Sequence, residues 1–209
     1  MRYGGIWDHV GFGFHRYSTD EKWRVPHFEK MLYDNAQLLS LYSEGYALYG
    51  EGLYKEVVER TLEFLESELS RPEGGYYASL DADSLNPKGE LEEGAFYTWD
   101  GAALASLLRE DFEWFQEYYN INDFGLWEKG QYVLIRTMSD EAFASKRGWT
   151  LEALREHRDR VCRRLLKVRE KRPRPRLDDK VITSWNGLLL GGLCDAYRYC
   201  GLEVARKRA

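Results

Sequence analysis

Apolar residues recur at steps of three and four along much of the chain, and this spacing restricts its fold more than any other feature. Within residues 27–49 the recurring positions are Phe28, Met31, Leu32, Ala36, Leu39, Tyr42 and Tyr46. A second such stretch covers residues 54–69 and stops before Pro72. Because this period places apolar side chains on one helix face, it predicts two amphipathic helices. The short glycine-containing turn between them predicts an antiparallel helical hairpin.

The rest of the sequence alternates between short strands and helices. Residues 74–84 (GGYYASLDADS), 95–99 (AFYTW) and 130–138 (GQYVLIRTM) are rich in β-forming residues, and we expect the first two to pair as a small β-hairpin. Asp100, Ser139 and Thr150 are typical N-caps and predict helices over residues 101–109, 140–147 and 150–171. The last helix is predicted to begin at Asp178 or Asp179 and, being apolar on nearly all sides, to be buried.

Composition narrows the class of protein. The 209 residues are 44% apolar and 31% charged, which suits one folded domain over residues 1–209. A net charge of −5 argues against a nucleic-acid partner, and the basic residues from Arg158 to Arg176 are expected to form a solvated helix face. No apolar run is long enough to span a membrane. Three cysteines without CxxC spacing are expected to be reduced and buried, in a cytoplasmic protein.

Aromatic residues are unusually frequent, with 15 Tyr, 9 Phe and 7 Trp. Tyr and Trp combine a flat apolar face with a polar edge. Such rings are suited both to stacking against sugars and to filling thick helical layers. Composition alone favours neither use over the other.

Four long motifs resemble one known family. They are WRVPHFEKMLYDNA (residues 23–36), GGYYASLDADS (74–84), EEGAFYTW (92–99) and DDKVITSWNGLLL (178–190). Together they resemble the barrel part of the YyaL-type, spermatogenesis-associated thioredoxin-domain family. The resemblance implies a mostly α fold, an incomplete (α/α)6 toroid of the six-hairpin glycosidase type, with small β-hairpins in its loops.

The same resemblance implies a relation to N-acylglucosamine 2-epimerases and cellobiose 2-epimerases. Members of the family join a thioredoxin-like domain to a complete barrel, whereas this sequence resembles about the first half of the barrel and contains no thioredoxin-like part. We therefore expect either self-association or a thioredoxin-like partner, because some apolar helix faces would lack neighbours.

His27 is the first candidate for catalysis. It follows Pro26 at the predicted start of a helix, where the helix dipole disfavours a protonated imidazole and favours a base. On that helix Asp34 and Asn35 would share a face with His27. Sugar epimerases need one group to remove a proton beside a carbonyl and another to return it. The alternative is that His27 only caps or packs locally.

Acidic residues around residues 81–93 form a second candidate group. Asp81 and Asp83 would point to the same side of a strand, and Glu92 or Glu93 on the return strand could meet them as a glycosidase-type carboxylate pair. A calcium loop from Asp81 to Glu92 fails at Leu85 and Asn86, so no metal is expected. A hydrogen-bonded loop without catalysis remains the alternative.

Further residues are candidates for binding substrate. Four glycines in the opening loop allow a close backbone approach; there His9 and His15 are expected to make structural hydrogen bonds and Arg16 to clamp a carboxylate or hydroxyl pair. Lys180 is expected to pair with an acid of the cleft, and Asn186 to hydrogen-bond hydroxyl groups of the substrate. The expected stacking surface consists of Trp23, Tyr76, Tyr77, Trp99 and Trp185, although a core position suits Trp185 equally well.

Two functional hypotheses follow. The first is an isomerase, epimerase or glycosidase that acts on a small sugar or sugar-like substrate without a cofactor. The second is a non-catalytic binding or scaffold module, or an inactive fragment, that accompanies a thioredoxin-like domain. Nucleotide-binding, zinc-protease and serine-hydrolase motifs are absent from the sequence.

Overall fold

The computed structural model describes all 209 residues and is mostly helical, with short strands in the connecting segments. The helices are α1 (Leu32–Tyr49), α2 (Gly52–Phe64), α3 (Gly101–Leu108), α4 (Phe112–Tyr118), α5 (Asp140–Arg147), α6 (Leu151–Arg169), α7 (Thr183–Cys200) and α8 (Glu203–Arg208). The strands are β1 (Lys30–Met31), β2 (Ser79–Leu80), β3 (Asp83–Leu85), β4 (Leu91–Glu93), β5 (Trp99–Asp100), β6 (Gln131–Tyr132) and β7 (Leu177–Asp178). The expected class, mostly α with small sheets, is confirmed.

The residues group into two compact units. Unit 1 contains Met1–Gly11, Tyr17–Phe28 and Asp83–Arg174. Unit 2 contains Phe12–Arg16, Glu29–Ala82 and Pro175–Ala209. That residues 1–209 form a single barrel segment stays a prediction. No helix is long and apolar enough to cross a membrane.

Unit 2 is built on the packing of α1 against α2 and α7. The predicted hairpin of the first two helices is confirmed, and a π-helical turn (Leu65–Leu69) extends α2. Helix α7 approaches α1 closely at Gly192, where a Cβ atom would lie 2.6 Å from the Ala36 carbonyl oxygen. A side chain at this position would therefore force the two helices apart.

The start of α1 differs from the prediction of a helix beginning at His27. Lys30 and Met31 pair with Leu80 and Ser79 in the antiparallel sheet β1-β2-β7, and α1 begins only at Leu32. Pairing with a remote strand overrides the local helical pattern. His27 is consequently not at a helix N-terminus, and it does not share a helix face with Asp34.

Helix α7 also begins later than predicted. Leu177 and Asp178 are held as a strand by Leu80 and Ser79, so the helix starts at Thr183. Its predicted complete burial is wrong as well, because Leu188 and Leu190 are 43% and 47% exposed. Cys162 and Cys200 are buried as expected, whereas Cys194 is exposed.

Unit 1 follows its local signals more closely. Asp100, Ser139 and Thr150 each accept a hydrogen bond from the backbone N–H three residues later, at 2.7, 3.2 and 3.1 Å. These are the expected N-caps of α3, α5 and α6. The helices pack around an aromatic core that includes Trp114, Phe115, Tyr118, Tyr119 and Phe143.

The β-hairpin of unit 1 uses different residues from those predicted. β3 pairs with β4 rather than with residues 95–99, and Asp83 lies opposite Glu93. Tyr97 and Thr98 instead donate backbone hydrogen bonds to the Gly94 carbonyl in a tight turn, and Trp99 pairs with Tyr132 in β5–β6. The turn at Gly94 uses a positive φ, and a Cβ there would lie 2.5 Å from the Phe28 ring.

Two arginines of α6 correct the expectation of a fully solvated basic face. Arg169 is 3% exposed and lies 2.9 Å from the buried Asp8 carboxylate. Arg158 is 6% exposed and lies 3.1 Å from the Asp140 carboxylate. These residues are internal charge pairs that hold unit 1 together.

Candidate functional site

His27 and Glu93 form the most chemically suggestive contact in unit 1. The His27 Nδ1 atom lies 2.8 Å from the Glu93 Oε1 atom, although 66 residues separate them in sequence. Strand β4 positions Glu93, and a backbone hydrogen bond from His27 N–H to the Tyr17 carbonyl holds the histidine at 3.0 Å. The Tyr17 ring stacks on the imidazole, with centroids 4.9 Å apart. The histidine is therefore fixed in position and orientation.

This contact decides which imidazole nitrogen can act as a base. A carboxylate only accepts hydrogen bonds, so the proton of neutral His27 is assigned to Nδ1 and the basic lone pair to Nε2. Both side chains remain partly exposed, at 30% for His27 and 41% for Glu93. A histidine hydrogen-bonded to a carboxylate has the geometry that a general base requires, and that His27 acts as one stays a prediction.

The neighbouring acids have distinct partners. Glu92 accepts hydrogen bonds from Lys129 and from Asn86, the latter at 2.8 Å, and the Lys129 bond lowers the pKa of Glu92 below its usual value. Glu92 thus closes the hairpin loop. Asp83 is exposed and is the cross-strand partner of Glu93. It adds a second negative charge on the hairpin that carries Glu93.

Trp23 lies on a tightly held loop of unit 1. The Asp20 carboxylate accepts backbone N–H bonds from Lys22, Arg24 and Val25 at 2.8, 3.0 and 2.8 Å. Trp23 has a φ of 58°, a conformation that bulky residues rarely adopt, and is 41% exposed. Such strain at an exposed aromatic residue suits a binding role.

Trp99, by contrast, is not an accessible stacking surface. Its side chain is 2% exposed in the core of unit 1, and the Arg172 guanidinium lies 4.1 Å from its ring centroid. The Arg172 Nη1 atom donates to the carbonyls of Ala95, Phe96 and Thr98. Trp99 and Arg172 therefore brace the turn that follows Glu93, which corrects the expectation of ligand contact.

Asp34 is the outstanding carboxyl group of unit 2. It lies in the first turn of α1 and is half-buried, and its buried Oδ2 atom has no hydrogen-bond partner. Burial raises the pKa of Asp34 to about 6; Arg16 opposes this shift and Glu29 adds to it. A carboxyl group with such a pKa can exchange protons near neutral pH.

Arg16, Tyr33 and Trp185 occur in the same unit as Asp34. The Arg16 Nη1 atom donates to the Glu29 carboxylate at 3.1 Å, and Arg16 also forms a side-chain hydrogen bond with Tyr33. The Tyr33 ring meets the Trp185 ring edge to face, with centroids 4.7 Å apart. Tyr33 thus connects a charged pair to an aromatic pair.

The side-chain amides of Asn35 and Asn186 are hydrogen-bonded to the backbone of unit 2. Asn35 is fully buried; its amide accepts from Phe14 N–H at 2.7 Å and donates to the carbonyls of Phe14 and Met31. The Asn186 amide accepts from Tyr76 N–H at 2.8 Å and donates to the Tyr76 carbonyl at 3.1 Å. Both amides therefore have a structural role, and contact of either with a ligand stays a prediction.

The remaining candidates of unit 2 also have local partners. Tyr76 is buried, and its hydroxyl group donates a hydrogen bond to the Glu66 carboxylate. The Arg71 guanidinium carbon lies 5.7 Å from the centroid of the Tyr77 ring. Lys180 pairs with Asp178 at 2.6 Å, in the segment that precedes α7, and that it pairs with an acid of a ligand cleft stays a prediction.

Asp81 and Asp83 do not lie on one strand. Asp81 falls between β2 and β3, belongs to unit 2, accepts from Ala82 N–H at 2.8 Å and lies 3.7 Å from Arg176. Asp83 begins β3 in unit 1. The expectation that both face the same side of a single strand is therefore wrong.

Three residues near the candidate groups were missed at the level of sequence. Tyr17 stacks on His27, Tyr33 contacts Trp185, and Glu29 pairs with Arg16. Tyr33 and Glu29 lie within the motif of residues 23–36, so the motif was a usable signal for them. No group of three or more His, Cys, Asp or Glu side chains is placed to hold a metal ion.

Comparison with known proteins places the chain among longer relatives. No family model matches it. It is 38% identical to human spermatogenesis-associated protein 20, over 92% of the chain and 27% of that protein. It is 35% identical to an uncharacterized protein of Caenorhabditis elegans, over 95% of the chain and 30% of that protein. The chain thus spans under a third of the length of these relatives.

Two solved structures align with the chain over most of its length. A sugar epimerase from a ruminal bacterium covers 97% of the chain and 47% of its own, with 14% identity and a TM-score of 0.35. A D-mannose isomerase covers 94% and 42%, with 15% identity and a TM-score of 0.33. These scores are too low to carry an argument about the site. By sequence, human and mouse spermatogenesis-associated protein 20 are homologues of this chain over 92% and 97% of its length.

Proposed function

We propose that this chain carries acid–base residues of an enzyme that isomerises or epimerises a sugar, with His27 as the base and Glu93 as its orienting partner. The observation that supports this proposal is the 2.8 Å contact between His27 Nδ1 and Glu93 Oε1. In that contact Nδ1 carries the proton of the neutral ring, which assigns the lone pair to Nε2, and stacking on Tyr17 also restricts the orientation of the ring.

The chemistry of such a base is proton removal from a carbon next to a carbonyl group. Nε2 takes the proton, the C–H electron pair forms a carbon–carbon double bond, and the carbonyl oxygen gains the negative charge. Delivery of a proton to the same carbon from the other face, by water or a second acid, gives an epimer. Return of the proton to the former carbonyl carbon, with transfer of the neighbouring hydroxyl proton to the former carbonyl oxygen, gives an isomer. Glu93 stabilises the imidazolium that forms in between.

A glycosidase role is less well supported by these contacts. Retaining and inverting glycosidases need one carboxylic acid that donates a proton to the leaving oxygen. Glu93 instead accepts a hydrogen bond from His27, and Glu92 accepts hydrogen bonds from Lys129 and Asn86. These acids are engaged as acceptors, which favours proton abstraction by His27.

Solvent-deuterium exchange tests the proposal directly. The chain is incubated in D2O with a panel of aldoses and ketoses that includes mannose, glucose and fructose, and NMR follows exchange at the carbon beside the carbonyl. We expect exchange with at least one sugar, reduced by about 10²-fold or more in His27→Gln and Glu93→Gln. Glu21→Gln is the matched control, because Glu21 is exposed and belongs to neither candidate group.

The alternative of a binding module draws on one specific feature of unit 2. Leu41 and Leu48 of α1 and Leu188 and Leu190 of α7 are between 43% and 76% exposed. Exposed apolar side chains of this size suit contact with a second copy of the chain or with a thioredoxin-like partner. Absence of exchange with every sugar in the panel would contradict the enzymatic proposal and leave this alternative.

A further inference from the structure

Helix α6 of unit 1 carries four exposed charged side chains on one face. They are Glu152, Glu156, Arg163 and Lys167, and none of them makes an ion pair or a side-chain hydrogen bond within the chain. Their spacing of four, seven and four residues places them within about 60° of one another around the helix axis. The four side chains therefore leave the helix in nearly the same direction, along about 22 Å of its length.

This face of α6 is open to a partner. A shallow groove of about 890 Å³ lies along it and is lined by α6 residues between Leu151 and Arg163, Glu152 and Glu156 among them. No residue of another element lines the groove, so nothing else in the chain covers it. A second element could therefore lie along the helix here.

The helix dipole explains only part of the charge pattern. It stabilises acids near the start of a helix and cations near its end, but the effect falls off within the first and last turns. Glu152 and Lys167 lie in those turns. Glu156 and Arg163 lie further inside α6, so the dipole does not account for them.

Pairing along the helix does not explain the pattern either. Residues four apart on a helix are neighbours, and opposite charges at this spacing stabilise it. Here the neighbours carry like charges, in an acidic pair (Glu152 and Glu156) and a basic pair (Arg163 and Lys167). Like charges four residues apart weaken an isolated helix, so the arrangement is unfavourable in the single chain.

The two residues midway between these pairs already have partners. Arg160 donates to both carboxylate oxygens of Asp111, at 2.8 and 2.7 Å. The Asp159 carboxylate lies 3.2 Å from the Nε atom of Arg158. The acidic pair and the basic pair are thus left without a counter-charge in the fold.

The two pairs are placed symmetrically along α6. Glu156 and Arg163 are equally far from the midpoint between residues 159 and 160, and so are Glu152 and Lys167. If a second α6 lies antiparallel across this face, a twofold axis through that midpoint places Glu156 opposite Arg163 and Glu152 opposite Lys167 of the other copy. A parallel arrangement would instead place like charges opposite each other.

We infer that this face of α6 is a contact surface for a second copy of the chain, in which two α6 helices lie antiparallel and the acidic pair of each copy faces the basic pair of the other. A wholly acidic or wholly basic partner would be repelled by one of the two pairs, whereas a second copy is attracted by both. Because exposed ion pairs each contribute little, the dimer is weak and depends on salt. The inference goes beyond the proposed function, because no α6 residue takes part in the His27–Glu93 contact.

Sedimentation velocity of the whole chain at rising protein concentration tests this contact. In about 0.1 M NaCl we expect the sedimentation coefficient to rise from that of a monomer toward that of a dimer. In about 1 M NaCl, where the screening length is about 3 Å, it should stay at the monomer value. Glu156→Arg and Arg163→Glu should each weaken self-association by about tenfold or more, because each places like charges opposite one another twice in the dimer.

Charge exchange provides the decisive control. Glu156→Arg and Arg163→Glu combined in one chain should restore self-association, and an equal mixture of the two single variants should form a mixed dimer. The single variants change the net charge in opposite directions, so net charge cannot explain a loss that both share. Lys22→Glu, on an exposed loop of unit 1, makes the same charge change as Arg163→Glu and should associate as the wild type does.

Four outcomes would overturn the inference. They are a wild type that stays monomeric up to about 1 mM in 0.1 M NaCl, self-association that strengthens in 1 M NaCl, single variants that associate as the wild type does, and exchanged charges that fail to restore association. Near-ultraviolet circular dichroism checks that each variant is folded, and Glu156→Gln and Arg163→Gln replace any reversal that does not fold, with a smaller expected loss. Self-association of this kind in a chain without deuterium exchange would support the contact and contradict only the proposed function.

Discussion

Two aspartates, Asp140 in unit 1 and Asp34 in unit 2, show opposite treatments of a buried carboxyl group. Burial alone would raise the pKa of Asp140, but Arg136, the Tyr118 hydroxyl and Arg158 together lower it. Asp34 is also desolvated, yet the only cation acting on it is Arg16, and its pKa rises to about 6. The first carboxylate is fully paired and stabilises its unit, whereas the second is kept at a cost in stability.

Removing the charge of Asp140 is expected to have the largest effect on stability. Asp140→Asn would leave Arg136, whose side chain is 1% exposed, without the buried carboxylate that pairs with it. It would also remove one of the two carboxylates beside Arg158, which keeps Asp159 at 3.2 Å. We expect a loss of about 3–5 kcal/mol in the free energy of unfolding, because a buried ion whose partner is removed is strongly destabilising. Urea denaturation monitored by circular dichroism measures it. A loss below about 1 kcal/mol would mean that the arginines find other partners or water.

His9, a buried histidine of unit 1, provides a second test of how unit 1 treats buried ionisable groups, this time through pH. Burial, followed by the charges of Arg2 and Arg136, holds the pKa of His9 well below its usual 6.5. Arg2 can only donate, so Nδ1 of His9 accepts its hydrogen bond at 3.2 Å and the proton lies on Nε2, 3.3 Å from the Gly4 carbonyl. The folded protein therefore holds His9 neutral.

The lowered pKa of His9 predicts how the free energy of unfolding changes with pH. Below pH 6.5 the unfolded chain binds a proton at His9 that the folded chain does not, so the His9 contribution is complete above pH 6.5 and is lost as pH falls. The expected slope is up to about 1.4 kcal/mol per pH unit from this residue. Unfolding midpoints of the wild type and His9→Gln between pH 7 and 5 measure it. Equal slopes in the two proteins would show that His9 is not held neutral.

The helix starts of unit 1 could be predicted from local sequence signals, whereas those of α1 and α7 in unit 2 could not. The caps at Asp100, Ser139 and Thr150 were predictable because each hydrogen bond spans only three residues. The starts of α1 and α7 were not, because Leu80 binds Lys30 on one side and Leu177 on the other, and these pairings span many residues. Strand pairing between remote segments overrode two helical patterns.

The candidate site shows the same limit. His27 and Glu93 could each be proposed from their residue types, but their contact joins segments 66 residues apart and became visible only in the fold. The argument that placed His27 at a helix N-terminus was wrong, since α1 begins at Leu32. The raised pKa of Asp34 depends on burial, which no local pattern at that position indicates.

Asp34→Asn provides the smallest but most diagnostic change, because its expected sign is opposite to that of Asp140→Asn. Between about pH 4 and 6 the folded chain binds a proton at Asp34 that the unfolded chain has released, so ionised Asp34 destabilises the fold as pH rises through this window. Asp34 is half-exposed, so solvent screening reduces the effect to about 1 kcal/mol. We therefore expect Asp34→Asn to be about 1 kcal/mol more stable than the wild type at pH 7 and equal to it near pH 4, measured by urea denaturation at both values. A variant that is less stable at pH 7 would show that Asp34 is a structural carboxylate like Asp140.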